Sequence, residues 1–290
     1  MSLRKLLKTK ALDRPDRYDW DAPPMALQEF ADRPLAAEAD DPNTVSIYDV
    51  IGEDPWSGGG FTVKRMAAAL RSIGKNAVTV NVNSPGGDMF EGLAIYNLLA
   101  EHPAKVIVKV MGLAASAASL IAMAGDEVLM GTGSIMMIHK SWGLVAGNEH
   151  DFADAASVFK TFDESMAAIY AARTGLNEKE ILSMLDGPSR TSDGTYMTAT
   201  EAIDKGFADG SFASATTDAK AQATLPESIS ARRKIEAALA KDSKGRKERA
   251  EIINSLLGQR DATQPAERDA GDLTTADLMS AVATLRTLNL

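Results

Sequence analysis

The feature that most restricts the fold is the alternation, between residues 45 and 139, of short apolar runs with helix-patterned segments. Residues 45–51 (VSIYDVI) have strand composition, and Trp56-Ser57-Gly58-Gly59-Gly60 reads as a flexible loop ahead of a helical pattern over residues 62–73. Residues 77–82 predict a second strand, which leads into Asn83-Ser84-Pro85-Gly86-Gly87-Asp88 and a helix over residues 89–100. Residues 105–111 predict a third strand, followed directly by a helix over residues 114–123, and apolar runs at 127–130 and 135–139 extend the series. Strands separated by single helices are joined by crossovers. The pattern therefore predicts an α/β domain of βαβ units around a largely parallel sheet.

Composition narrows the function classes. Of the 290 residues, 45% are hydrophobic and 24% charged, enough apolar side chain to bury a core, so global disorder is excluded. The chain has no cysteine, which removes disulfides, thiolate metal sites and a cysteine nucleophile, and fits a reducing cytoplasm. A formal charge of −9 argues against wholesale binding to nucleic acid or an anionic membrane. The first 20 residues hold no apolar stretch of signal-peptide length, so export is not expected. Residues 106–125 are long enough to span a bilayer but contain Lys109 and two serines, and read instead as a buried strand followed by a buried helix.

Three further segments flank this pattern. Residues 1–43 are rich in Asp, Pro and Arg and read as an extended arm. Apolar spacing through Phe152, Ala155, Val158, Phe159, Phe162, Met166 and Tyr170 predicts a long amphipathic helix over residues 148–173. Shorter helices follow at 177–185 and 198–205, the second with Thr198 as N-cap and Glu201 at the capping-box offset. After residue 213 the composition changes to a tail, with a charged helical stretch at 229–257 and a final amphipathic helix at 274–288. Its basic cluster, Arg232-Arg233-Lys234 with Lys241, Lys244, Arg246, Lys247 and Arg249, is interleaved with acidic residues and predicts a solvated helical face.

Only three histidines are available for acid–base work. His102 and His150 read as surface residues at helix ends. His139 closes the apolar run Ile135-Met136-Met137-Ile138, which suits catalysis, although from position alone a hydrogen-bonded core histidine is the commoner outcome. Serine shifts that balance. Gly112-Leu113-Ala114-Ala115-Ser116-Ala117 sits at a strand-to-helix junction, where small neighbours admit a substrate and free amides can stabilise negative charge. A serine hydroxyl needs a base, and His139 ends the next buried segment. Ser119, one turn on, reads as core packing. The Gly86-Gly87 turn could expose amide hydrogens, or simply punctuate the chain.

In this order, Asn83-Ser84-Pro85-Gly86-Gly87, Gly112-Leu113-Ala114-Ala115-Ser116, Met137-Ile138-His139 and Tyr196-Met197-Thr198-Ala199-Thr200-Glu201-Ala202 with Gly206 resemble the ClpP family of serine peptidases, which tailed phages also use as head-maturation proteases. The likeness covers residues 43–212. It implies Ser116 as nucleophile, His139 as general base, and the backbone amides of Gly87 and Ala117 as the oxyanion hole. It points to Asp193 as the third triad member, with Asp186 as the alternative. The implied fold is a crotonase-like α/β spiral with a protruding handle, begun by the 148–173 helix, plus a helical C-terminal extension. The implied partners are polypeptide substrates and copies of the chain in seven-membered, stacked rings. A Clp ATPase, or phage scaffold and capsid protein inside a procapsid, would be the further partner, and no metal or organic cofactor is implied. Two other readings compete: a crotonase-like acyl-CoA enzyme in which Gly87 holds a thioester oxygen, and a catalytically silent shell or scaffold component.

Overall fold

A computed structural model describes residues 18–31, 41–53, 60–189, 193–213, 227–242 and 244–261. The expected loop at 56–59 and the helix at 274–288 lie outside them. The strands of the central sheet are β2 (Thr44–Ile47), β3 (Val78–Ser84), β4 (Val106–Ala115), β5 (Glu127–Gly131), β6 (Ile135–Ile138), β8 (Thr195–Thr198) and β9 (Gly210–Phe212). Outside it, β1 (Tyr18–Trp20) pairs antiparallel with β7 (Gly143–Val145). The order β2-β3-β4-β5-β9 is parallel throughout, as the βαβ reading requires.

The third strand is longer than its β-branched run predicts. It continues through Gly112-Leu113-Ala114-Ala115 because its two halves have different neighbours: Ile107–Val110 pairs with β5, and Leu113–Ala115 pairs with β6. The register to β3 shifts between Val82 and Ser84, and there the Asn83 side chain accepts a 3.1 Å hydrogen bond from the Leu113 amide. This split places the end of β4 and the end of β6 side by side. Beyond β6, strand β8 pairs antiparallel, with Ile138 opposite Thr195.

The helices of the domain are α2 (Val63–Ile73), α3 (Met89–Ala100), α4 (Ala117–Ala122), α5 (Glu149–Thr174), α6 (Glu178–Asp186) and α7 (Ala199–Asp204), and all but α4 open on a side-chain cap. Asp88 accepts from the Phe90 and Glu91 amides to start α3, and α5, α6 and α7 each open with a capping box, from Asn148, Asn177 and Thr198. The core is continuous: Val80, Val82, Val108, Val110, Ile121, Val128 and Met130 are fully buried between strands and helices. Each such side chain contributes about 1.5–3 kcal/mol of hydrophobic stabilisation. No described helix is long and apolar enough to cross a membrane, and residues 106–125 form β4 and α4.

Three sequence expectations change. The arm is not extended over residues 18–31: strand β1 is followed by α1 (Pro24–Ala31), with Pro24 in the first turn and Ala26, Leu27, Phe30 and Ala31 buried. Helix α1 packs against α8 (Glu227–Lys241), which together with α9 (Arg246–Asp261) folds back onto the domain. The basic cluster is consequently not all solvated, since Arg249 is fully buried and paired with Asp21 and Glu236. His102 is also buried, its Nε2 bonded to the Asn76 carbonyl at 2.8 Å. In both cases the partner comes from a distant part of the chain.

Candidate active site

Ser116 occupies the turn between β4 and α4 with φ 54° and ψ −128°, the one non-glycine positive φ among the described residues. Such a conformation costs about 1–3 kcal/mol and persists only where surrounding contacts enforce it. Here the Ser116 amide donates to the Met137 carbonyl at 2.9 Å, tying the turn to β6. From the other side, Gly86 packs so closely that a Cβ on it would lie 2.6 Å from Ser116 Cβ. Gly92 on α3 gives the same close approach to Ala117.

His139 follows the last residue of β6, and its Nε2 lies 2.7 Å from Ser116 Oγ. The β4–β6 pairing accounts for this distance, because it sets Ala115 opposite Met137 and so brings the two strand ends to one point. The backbone of Lys140 bonds the ring as well. The tautomer that carries its proton on Nδ1 presents Nε2 to the Ser116 hydroxyl as an acceptor. Burial lowers the His139 pKa to about 4, opposed by the Lys140 bond, so the imidazole is neutral at pH 7 and able to take a proton.

A pH dependence follows. Any reaction that needs neutral His139 and active Ser116 should lose rate on acidification with a midpoint near pH 4, against about 6.5 for an unperturbed imidazole. The folded value lies below the unfolded one, so the unfolded chain takes up its proton first as pH falls. The stability linked to this group is complete above about pH 6.5 and is lost towards pH 4. A modification-rate profile from pH 3.5 to 8 checks this; a midpoint at 6.5 would refute the buried, neutral ring.

The acidic candidates are placed differently. Gly194, at φ 111°, packs its Cα against the His139 main chain and Cβ, so Asp193 lies one residue from that contact. Among the described residues no hydrogen bond joins Asp193 to the imidazole. Its charge acts on Tyr196, whose hydroxyl is raised by burial and then by Asp193 and Glu29. Asp186, at the end of α6, forms a 2.7 Å ion pair with Lys140 Nζ at the surface. A third carboxylate was not anticipated from sequence: Asp163 on α5 is buried and accepts from both the amide (2.7 Å) and the hydroxyl (2.8 Å) of Ser141. Burial raises its pKa, and the two Ser141 bonds oppose that. It anchors the chain two residues after His139 to the long helix.

Ser119 is a core residue, as read from sequence, bonding the Ser116 carbonyl at 2.7 Å and the Tyr170 hydroxyl at 2.9 Å. His150 is exposed at the start of α5. Ser116 and His139 line a small cleft with Gly87, Ala117, Met89, Met166, Ser141 and Trp142. Trp20 and Asp21 complete its lining. Nothing in the arm's composition signals that placement, beyond a lone tryptophan in a polar stretch followed by a Pro-started apolar helix pattern.

The fold and the site together define an α/β protein with a serine–histidine pair at the ends of adjacent parallel strands. A family model described as Clp protease matches residues 62–214. The chain belongs to the Clp protease family. It is 31% identical over 138 residues to an ATP-dependent Clp protease proteolytic subunit 3 of Rhodococcus jostii, covering 47% of this chain and 65% of that protein. It is 29% identical over 148 residues to subunit 1 of Mycobacterium tuberculosis, covering 50% of this chain and 70% of that one. A solved mutant ClpP1 from Listeria monocytogenes aligns over 60% of this chain and 92% of its own, at 22% identity and a TM-score of 0.48. The chain thus spans about two thirds of the length of the relatives it matches.

Proposed function

We propose that this protein is a serine endopeptidase that cleaves polypeptides through an acyl-enzyme. Ser116 Oγ attacks the scissile carbonyl carbon while His139 Nε2 takes the hydroxyl proton. The amides of Gly87 and Ala117 receive the developing oxyanion, and His139 returns the proton to the leaving amine. Water, activated by the same imidazole, then hydrolyses the ester. Asp193 is the residue assigned to favour the imidazolium, entering beside His139 through Gly194. The observation that carries the proposal is the 2.7 Å approach of Ser116 Oγ to His139 Nε2 in a cleft that Gly87 and Ala117 also line. The relatives named above are proteolytic subunits, and on that likeness we infer polypeptide substrates and self-association into rings.

The direct test is a fluorophosphonate probe followed by peptide mass spectrometry. Modification at Ser116 that is lost in His139→Ala supports the proposal, whereas turnover of an acyl-CoA thioester with Ser116 unmodified would replace it. The acidic assignment has its own measurement. Asp193→Asn should lower the modification rate by about 10²–10⁴-fold, the range set by loss of a histidine-orienting carboxylate. Asp186→Asn, which removes an exposed ion pair worth about 0–1 kcal/mol, should leave it within about threefold. The reverse order would move the role to Asp186.

A further inference from the structure

The cleft beside Ser116 is lined in part by the chain's own arm, through Trp20 and Asp21. Strand β1 pairs antiparallel with β7, with Trp20 opposite Gly143, and β7 begins four residues beyond His139. Trp20 is 5% exposed, its indole set edge-on against Phe90, Phe159 and Phe162 at centroid distances of 5.6, 5.1 and 4.9 Å. Asp21 is 4% exposed and pairs with Arg249 at 2.5 Å and Arg246 at 3.6 Å, both from α9. Arg249 is itself held by the Lys244 carbonyl at 2.8 Å and by Glu236 at 3.4 Å. The next segment, α1, is fixed by Leu27 against Ala237 and Ala240, and by Arg233 over the Phe30 ring at 3.9 Å. Every one of these arm and tail residues lies outside the 62–214 region that matches the family.

We infer that residues 18–22 form an autoinhibitory strand, seated in the peptide-binding cleft and latched there by Arg246 and Arg249 of the C-terminal helical hairpin. This rests on the reading of the cleft as a peptidase site. Three elements carry it. Main-chain pairing to an open strand edge is the way an extended peptide is held. A large aromatic side chain fills the apolar wall next to the serine. The latch is a buried carboxylate at the cleft wall, Asp21, whose charge is compensated by two guanidinium partners, since an unpaired buried charge is costly. A polypeptide substrate must therefore displace Trp20 and Asp21 before it reaches Ser116, and whatever binds or removes the α8–α9 hairpin controls that step.

The test uses the full chain carrying Asp21→Asn, Trp20→Ala, or both, with folding checked by circular dichroism. Three quantities are measured: amide hydrogen exchange at residues 143–145, the rate of Ser116 modification by a fluorophosphonate, and anisotropy of a fluorescein-labelled decapeptide of residues 15–24 (PDRYDWDAPP). The expected result for the variants is faster exchange, modification at least tenfold faster than wild type, and saturable decapeptide binding that the wild type does not show. Unchanged exchange in all three variants would refute the latch. Faster exchange without decapeptide binding would refute the cleft as the seat of this strand, as would faster exchange where Ser116 is modified at the same measurable rate in wild type and variants. Decapeptide binding with no Ser116 modification in any form would leave the strand assignment standing and sink the serine-peptidase reading alone. Asp21→Asn keeps the shape of the native side chain, so the test holds even where Trp20→Ala weakens the core.

Discussion

Ser116→Ala and His139→Ala are each expected to reduce hydrolysis of an activated peptide ester by at least about 10⁴-fold, with the double variant no worse than either alone. The magnitude is that of removing the proposed nucleophile or its proposed base, and the lack of additivity is what two groups acting as one unit across a 2.7 Å contact would give. Neither change should unfold the protein. Ser116 contributes no side-chain cap to α4, and its amide bond to Met137 is a backbone interaction that alanine keeps. His139→Ala leaves a cavity lined in part by Ser141 and Met166, with a modest loss of melting temperature. Steady-state hydrolysis and thermal melts on the three variants check this. Additive losses, each of about tenfold, would mean the pair only binds substrate.

Gly87→Ala is expected to damage both fold and chemistry. Gly87 has φ 144°, and a Cβ there would run into the Ile51 carbonyl, whose oxygen also accepts from the Asp88 amide at 3.0 Å. Neither partner is a flexible side-chain end. The turn must shift, and with it the Asp88 cap of α3 and the amide assigned to the oxyanion. Displacing one such donor costs about 10²–10³-fold in rate. Gly74→Ala separates strain from overlap, because Gly74 also has positive φ, 71°, but nothing lies within 4 Å of its added Cβ. That control should lose about 1–3 kcal/mol, or about 2–12 °C in melting temperature, and no activity. Equal effects at both positions would show that backbone strain alone is responsible.

The contrast between what could and could not be read in advance is sharpest around His139. Its place at the end of a buried run was visible, because strand periodicity and helix caps are local properties of a few neighbouring residues. The long reach of β4 was not, since Gly112-Leu113-Ala114-Ala115 is poor in β-branched residues and becomes a strand through pairing with β6. Asp163 was invisible for a related reason: a carboxylate on an amphipathic helix looks solvated until its neighbour, Ser141, is known.

The amino-acid sequence alone determined the βαβ order, the Thr198 cap, the Gly86-Gly87 turn, a serine at a strand-to-helix junction and a histidine at the end of a buried run. Those features follow from short-range sterics, periodicity and hydrogen bonding. Only the tertiary structure decided that the two strand ends meet, that Arg249 is buried, and that Trp20 and Asp21 line the cleft. The Asp21–Arg249 pair joins residues 228 positions apart, and no local signal can specify a contact whose partners are brought together only when the chain closes on itself.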